Sequence, residues 1–447
     1  MLNTNNNNCV NKIHMKESRF NLYFNAQDGT RLAFNSLSGG LAIVDDDYKR
    51  LITSIARGEP INGLESVLSA AKYGNFIVDA DKDEVLDYET KRLAQFFNAQ
   101  AIGLTIAPTL DCNFKCVYCY ETRRRGNMSE GTQHSIINYV KRYNGRFNDV
   151  EVTWYGGEPL LCMPIISNLS KELINICKER AAVYHAFIIT NGFLITQKVV
   201  DEFKRCKITG AQVTIDGPRE VHESRRVNRS GSGSFDSIVS NVNLLLKNGV
   251  DVIVRINVDK SNEKDVGTLI EYLSKELVSK KVKITFGQVS AYTESCKGIE
   301  SSCFGNEEFA CKMLDFYRLL EKCGFGESNK FPYPNVKLCY CCAEHVSSFV
   351  IDPEGNLYKC WNDVGNGNLA VGNINDQSFD FANYKCGRWL LRQLPKKCKE
   401  CNVLPICAGG CPHVTNVRKK ANACDLIRYN IEETMLDYYE RYASAGN

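Results

Sequence analysis

Charge of one sign is scarce in this sequence: 55 lysines and arginines stand against 52 aspartates and glutamates, a formal net charge of +3. So small an excess supplies no broad attraction to nucleic acid or to an anionic membrane, and neither is expected as a partner. Long apolar runs are missing too. The first 19 residues are polar and Asn-rich, without the apolar core of a signal peptide. No later stretch reaches the roughly 18 consecutive apolar residues of a membrane span. Apart from the Asn run at 5–8, internal repeats and low-complexity tracts are absent. What remains is the expectation of a cytoplasmic, reducing location and of a peptide or small molecule as partner.

The abundant residue is cysteine, 21 in 447, in pairs and triplets at short spacings. A chain this long needs no disulfide staples, so metal is the better first reading. Cys162, Cys177, Cys206 and Cys311 sit among apolar or helix-forming neighbours and read as ordinary core residues. The length implies two or three domains, with interior enough to keep water from a reactive site.

Along the chain, residues 1–18 read as a disordered N-terminus. Residues 19–97 form a small α+β unit. Two alternating runs flank Asp28-Gly29 as a hairpin. A third apolar run at 41–44, helices near 47–56 and 64–73, and a short strand at 75–78 follow. The hairpin edge is a surface to which an extended peptide can add a strand. From 98 to 290 apolar strands alternate with amphipathic helical stretches, about six βαβ units. That pattern predicts an α/β fold, a partial (β/α)6 TIM barrel that stays open, with its chemistry in loops after the strand C-termini. Residues 291–338 are a connector with one helix near 307–322, and 339–447 form a Cys-rich, turn-rich domain.

Directly after the first barrel strand stands Cys112-Asn-Phe-Lys-Cys116-Val-Tyr-Cys119. Three thiolates at C-x3-C-x2-C can hold three irons of a [4Fe–4S] cube and leave the fourth open. A tetrahedral zinc would need a fourth ligand, and the next residues offer only the Glu121 carboxylate. The segment CNFKCVYCY resembles the signature of the radical S-adenosylmethionine (SAM) superfamily, and the resemblance extends over the barrel. It implies that Cys112, Cys116 and Cys119 bind the cluster whose open iron chelates SAM, and that a 5′-deoxyadenosyl radical abstracts a substrate hydrogen. Gly156-Gly157-Glu158-Pro159 resembles the family's GGEP motif, whose backbone and Glu meet the SAM amino group. Glycine there lets the main chain approach a ligand. Tyr118, Asn191, Thr214 and Arg255 are further SAM-contact candidates by position, Arg255 through its guanidinium fork toward the SAM carboxylate; Asp216 is a weaker one.

The C-terminal cysteines resemble the seven-cysteine SPASM domain, which binds two auxiliary [4Fe–4S] clusters. By that resemblance Cys398, Cys401, Cys407 and Cys424 hold one, and Cys360 and Cys411 hold the other with one or two of Cys339, Cys341 and Cys342. C-x2-C spacing favours Cys339 with Cys342, whereas the common C-x-A start fits Cys341-Cys342-Ala343, so the choice stays open. Two zinc sites are the alternative for these pairs. His345 and His413, nearby, read as hydrogen-bonding residues.

The resemblance implies three [4Fe–4S] clusters, SAM as cofactor and reduced flavodoxin or ferredoxin as electron donor. Residues 19–97 resemble the winged-helix-like peptide-recognition (leader-binding) module of peptide maturases. Sulfatase maturases resemble one another in an Asp directly after the cysteine aligned with Cys360, where this chain has Trp361. The expected function is therefore thioether formation in a ribosomally made precursor peptide with a leader sequence. Carbon–carbon macrocycle formation, sulfatase maturation (formylglycine formation) and a non-catalytic iron–sulfur redox sensor are the alternatives.

Overall fold

Alternating apolar residues close the N-terminal part into a sheet with two dry faces. The computed structural model describes residues 14–143, 145–420 and 423–445. Strands β2 (Asn21–Asn25), β3 (Arg31–Asn35) and β4 (Leu41–Ile43) form an antiparallel sheet in that order. Gly29 adopts φ +85° in the β2–β3 turn, and the Thr30 N–H donates to Asp28 Oδ1 at 2.9 Å. One face carries Tyr23 and Ala33 against helices Asp46–Arg57 and Glu65–Tyr73. The other carries Leu22, Phe24, Leu32 and Phe34 against Ile406, Ile431 and Met435 of the C-terminal region. A third helix, Glu84–Phe96, was not expected from the sequence. Asp83 caps it by accepting the Val85 and Leu86 N–H groups.

The expected disordered tail lies, for residues 1–13, outside the described residues. Of the remainder, β1 (Met15–Glu17) is ordered: it pairs antiparallel with β5 (Ile77–Asp79). Lys16 Nζ fixes it by donating to the carbonyls of Ala80 and Lys82.

Six parallel strands follow in chain order, β6 (Ala101–Ile106), β8 (Asp149–Trp154), β9 (Val183–Thr190), β10 (Ile208–Thr214), β12 (Asp251–Val258) and β13 (Lys283–Gln288). This is the expected partial α/β barrel. Helices between the strands cover one face. Buried residues alternate with half-buried ones along β9 and β12, the buried set packing under the helices and the half-buried set facing the barrel interior. Helix Met163–Glu179 with its preceding turn is apolar enough, by length and composition, to cross a membrane. Ile166, Leu169, Leu173 and Ile176 instead bury it in the barrel core. Between β6 and β8, the short β7 (Phe114–Cys116) pairs with β11 (Arg226–Asn228).

The cysteine-rich region is joined to the barrel through its sheet. Strand β14 (Ser348–Ile351) runs parallel beside β6, and β15 (Asn356–Tyr358) and β16 (Gly372–Asn373) extend the sheet to nine strands. Cys162, Cys177 and Cys206 are buried as expected, but Cys311 is exposed. On helix Asn306–Leu320 the inward positions are Phe309, Ala310 and Leu314, and the helical period turns Cys311 outward.

A buried charge cluster ties the N-terminal module to the cysteine-rich region. Glu344 accepts from Arg392 Nη2 at 2.8 Å and Nε at 3.0 Å and from Arg92 Nη2 at 3.3 Å, while its other oxygen accepts the Tyr340 N–H at 2.8 Å. Removing one partner of such a cluster strands a buried charge, which costs about 3–5 kcal/mol. Arg392→Met should therefore lower the thermal unfolding midpoint of the chain, measured by circular dichroism, far more than Arg388→Met on the exposed face of helix Tyr384–Leu390.

Candidate functional site

The C-terminal ends of the barrel strands open onto a cavity of about 600 Å³. Cys112, Cys116 and Cys119 line it together with Tyr118, Gly156, Gly157, Asn191, Thr214 and Arg255, so most of the positions singled out in the sequence converge. Glu158 is the exception. It is fully buried and does not line the cavity, because protein donors consume its carboxylate: Thr190 Oγ1 at 2.7 Å, the Asn191 N–H at 2.8 Å and the Leu160 N–H at 3.1 Å. Its side chain ties the exit of β8 to that of β9 rather than facing a ligand.

The paired glycines also serve a protein contact. A Cβ on Gly157 would lie 2.2 Å from the Asp111 carbonyl oxygen, and one on Gly156 2.4 Å from that of Thr109. The Gly157 N–H donates to Thr109 O at 3.2 Å and the Glu158 N–H to Asp111 O at 2.9 Å. The exit of β8 thus lies flush against the segment leading into Cys112. Asp216, the weaker candidate, is buried away from the cavity: it accepts the Tyr118 hydroxyl and the Asn257 N–H. Tyr118 OH also accepts from Arg226 Nη1 at 2.7 Å and Asn257 Nδ2 at 3.2 Å.

The donor set fits a thiolate-bound cluster. Burial pushes the Cys112 thiol up to about 12 and the Cys119 thiol up to about 11, so neither is a free nucleophile near neutral pH. A metal displaces such protons, and the Phe114 N–H already donates to Cys112 Sγ at 3.4 Å. Arg226, opposite Cys116 across the β7–β11 ladder, is a buried cation placed to offset the charge of bound thiolates. In the C-terminal region, the Cys401 N–H closes a turn on the Cys398 carbonyl at 3.1 Å, and the Gly410 N–H closes one on the Cys407 carbonyl at 3.0 Å. A Cβ on Gly410, at φ +71°, would fall 1.5 Å from Ala423 O, so glycine alone lets the Cys424 segment close on Cys407. Burial pushes Cys407 up to about 11; a backbone bond from Asp425 opposes this, and the charges of Asp425, Cys424 and Cys398 add to it. Cys360 is raised by burial and by Asp363, then by Cys411 and Cys341. His345 and His413 are hydrogen-bonding residues: His345 Nδ1 lies 3.1 Å from Ser347 Oγ, and His413 Nε2 lies 3.1 Å from Asp363 Oδ1.

Sequence reasoning passed over several cavity residues. Tyr120 and Tyr155 share a hydroxyl–hydroxyl bond of 2.5 Å, Trp361 packs on Tyr155 with ring centroids 5.0 Å apart, and Tyr292 stands edge-on to Tyr120. Glu121 was weighed only as a poor zinc ligand. It is a buried carboxylate in the cavity wall, Oε2 has no partner, and burial pushes its carboxyl up to about 7. The aromatic spacing alone carried no sign of this; only the folding of Trp361 onto the barrel reveals it.

Residues 106–273 match the model of the radical SAM superfamily. The chain is 24% identical over 341 residues to a serine-type anaerobic sulfatase-maturating enzyme of Bacteroides thetaiotaomicron, covering 67% of this chain and 80% of that one. It is 24% identical over 340 residues to a cysteine-type anaerobic sulfatase-maturating enzyme of Clostridium novyi, covering 70% and 88%. Among solved structures, native anSMEcpe with bound AdoMet and the Cp18Cys peptide has a similar fold: TM-score 0.60, 19% identity, 78% of this chain and 99% of that one. Streptococcus suis SuiB bound to its precursor peptide SuiA aligns at TM-score 0.52 and 16% identity, over 92% and 98%.

Two outcomes follow from this geometry. Gly157→Ala should push the segment ahead of Cys112 out of place, so that the purified protein retains less iron by colorimetric assay, while Gly231→Ala in an open turn retains the full amount. His222, buried beside Arg226, has its imidazole held down at about 3 by burial first and by that cation second. The unfolded chain takes up this proton near pH 6.5 and the folded chain does not, so its contribution is whole above pH 6.5 and lost as pH falls toward 3. Denaturant titrations should show about 2 kcal/mol lost from this source between pH 7 and pH 5, and His222→Leu should flatten that slope.

Proposed function

The chain is a radical SAM enzyme that modifies a substrate, and from that premise we propose that it installs a thioether, from cysteine sulfur to carbon, in a ribosomally made precursor peptide. The observation carrying this reading is a single cavity walled on one side by the Cys112–Cys119 loop and on another by Trp361 and Asn362, which directly follow Cys360. Bound [4Fe–4S] clusters and SAM would supply hydrogen-atom abstraction there. In this reading Cys112, Cys116 and Cys119 hold one cluster, and the cysteine-rich region holds two more. Arg255 donates Nε to Asn257 Oδ1 at 3.2 Å and presents the rest of its guanidinium to the cavity, where a carboxylate of SAM would sit. Thr214 and Asn191 border the same end. Tyr120, Tyr155, Tyr292 and Trp361 keep the wall dry, and Glu121 offers an acceptor to the substrate.

The N-terminal module supports a peptide partner. Strand β4 is an edge of its sheet, Ile43 is 58% exposed, and a groove of about 310 Å³ between β4 and helix Glu65–Tyr73 is lined by Ala42, Ile43, Val67, Ala70 and Phe76. An extended leader would add to β4 through main-chain hydrogen bonds and drop alternate side chains into that groove. SuiB, whose structure holds a precursor peptide, aligns with more of this chain than anSMEcpe does. A reduced flavodoxin or ferredoxin would supply electrons.

Sulfatase maturation is the second reading, favoured by the names of the sequence relatives. Against it, Trp361 occupies the position after Cys360, and Asp363 is buried on His413 outside the cavity lining.

The deciding experiment is anaerobic. Reconstituted chain with dithionite and SAM is expected to form 5′-deoxyadenosine, and Cys116→Ala to abolish it. A precursor peptide encoded beside this gene should lose two hydrogens, about 2 Da by mass spectrometry, with the link mapped to a cysteine sulfur. Ile43→Asp should weaken binding of the leader about tenfold or more without changing SAM cleavage in the absence of peptide. Formylglycine in a sulfatase peptide, with no crosslink in the precursor, would establish the second reading instead.

A further inference from the structure

Lys359 is the most deeply buried lysine among the described residues, 1% exposed and directly ahead of Cys360. Its ammonium donates to the His345 carbonyl at 2.5 Å and the Ser348 carbonyl at 2.8 Å and lies over the Phe349 ring, 4.6 Å from its centroid. No carboxylate pairs with it among the described residues; the neighbours that act on it are thiols, Cys386 first and then Cys342 and Cys341. An ammonium buried without a counter-charge is expensive, and proteins bury such charges beside an anion or a metal group that neutralises them. The β14–β15 hairpin places this cation deliberately: it brings the loop that follows Cys341 and Cys342 back beside Lys359-Cys360, and the bond to His345 O locks the two segments together.

The same fold separates the three upstream cysteines. Cys339 stands by Glu344 and Arg92, the charge cluster that ties in the N-terminal module. Cys341 interacts with Cys342 and Cys411, and Cys360 with Cys411 and Cys341. Cys341 and Cys342 lie at the start of the turn Cys342–Glu344, and the next residue, His345, offers the carbonyl that accepts from Lys359. Four thiolates around a [4Fe–4S] cube leave a net negative group, which is the missing counter-charge.

We propose that Lys359 is the charge partner of an auxiliary cluster bound by Cys341, Cys342, Cys360 and Cys411, and that its ammonium raises the reduction potential of that cluster. Cys339 is then a structural cysteine, the cluster has no open iron, and the substrate thiol does not bind to it. Burial and local charge are among the levers by which a protein sets cluster potential; a cation held in a dry site acts at low dielectric and is felt strongly. Asp363, the one carboxylate gathered with Cys360, is hydrogen-bonded to His413 and not to Lys359.

This inference rests on the three-cluster reading above, and the test separates the two. The full chain is reconstituted anaerobically as wild type, Lys359→Met, Lys359→Arg, Cys339→Ser and Cys341→Ser. Iron is counted, dithionite-driven 5′-deoxyadenosine is measured, and each cluster is titrated by potentiometric EPR. Lys359→Met is expected to move one auxiliary midpoint to lower potential, with the SAM-cleaving cluster unmoved, and Lys359→Arg to restore it. Cys341→Ser is expected to lose about four of about twelve irons or to alter one auxiliary EPR signal, whereas Cys339→Ser leaves both unchanged. An unshifted midpoint in iron-replete Lys359→Met, or cluster damage in Cys339→Ser with Cys341→Ser intact, overturns the inference. Should Lys359→Met fail to load, Lys359→Arg and the two serine variants still decide the ligand assignment. Wild type that binds only one cluster would instead defeat the three-cluster reading.

Discussion

No side chain fits between the exit of β8 and the chain that enters the first cysteine loop. Gly156 and Gly157 bring two backbones into direct contact there, and main-chain bonds from Gly157 and Glu158 to Thr109 and Asp111 hold them. Everything at the mouth of the barrel is referenced to this seam. It sets where Cys112 begins its loop, and through Glu158, whose carboxylate reaches Thr190 and Asn191, it fixes the exit of β9 to the same point. Three strand exits are thereby held at one height, which is what lets residues 80 and more apart in the chain face a common cavity. Glycine is demanded here by packing of protein on protein, before any ligand is considered.

The cavity is also a problem in electrostatics that the polypeptide alone leaves half solved. Burial raises the thiols of the cysteine loop, Arg226 sits buried beside Cys116, and Arg255 is pushed down from its usual basicity by the same desolvation. Cations without full carboxylate partners, next to thiols that resist ionisation alone, form an arrangement that an anionic metal group completes. The pattern repeats at Lys359. There the buried cation lies directly ahead of Cys360, outside the cavity lining.

Much of this was legible in the sequence because it depends on local chemistry. Periodicity marked the six parallel strands, the Asp28-Gly29 turn marked the hairpin, and cysteine spacing marked the loop at the first strand exit. What stayed hidden depends on contacts between distant segments. Nothing near Glu158 announces that Thr190 and Asn191 will absorb its carboxylate, so a motif glutamate looked like a ligand contact. Helix Glu84–Phe96 escaped because its apolar face, Val85, Tyr88 and Phe96, is broken by Arg92, and that arginine is explained only by Glu344 some 250 residues away. Met15–Glu17 looked like tail because a three-residue strand has no periodicity of its own and exists through its partner at Ile77–Asp79. Cys311 erred in the same way: facing is decided by the surface against which an element docks.

The shared sheet gives the cysteine-rich region its orientation. Because β14 pairs with β6 in register, from Ser348 opposite Gly103 to Ile351 opposite Ile106, and β15 returns antiparallel, the hairpin turn lies at the Cys112 end of the sheet and Lys359-Cys360 come back toward the Ser348–Gly103 end. A Cβ on Gly103 would lie 2.7 Å from Ser348 Oγ, so the register is set closely at its first pair. A separate domain on a linker could take many orientations; one built onto an edge strand of the barrel has a single one. Trp361 and Asn362 reach the cavity wall as a consequence of that pairing, and the N-terminal sheet, buried against Ile406, Ile431 and Met435, is held in turn by the cysteine-rich region. The order of dependence runs from barrel edge to cysteine loops to N-terminal module, which places the exposed edge of β4 at a fixed position relative to the reacting cavity.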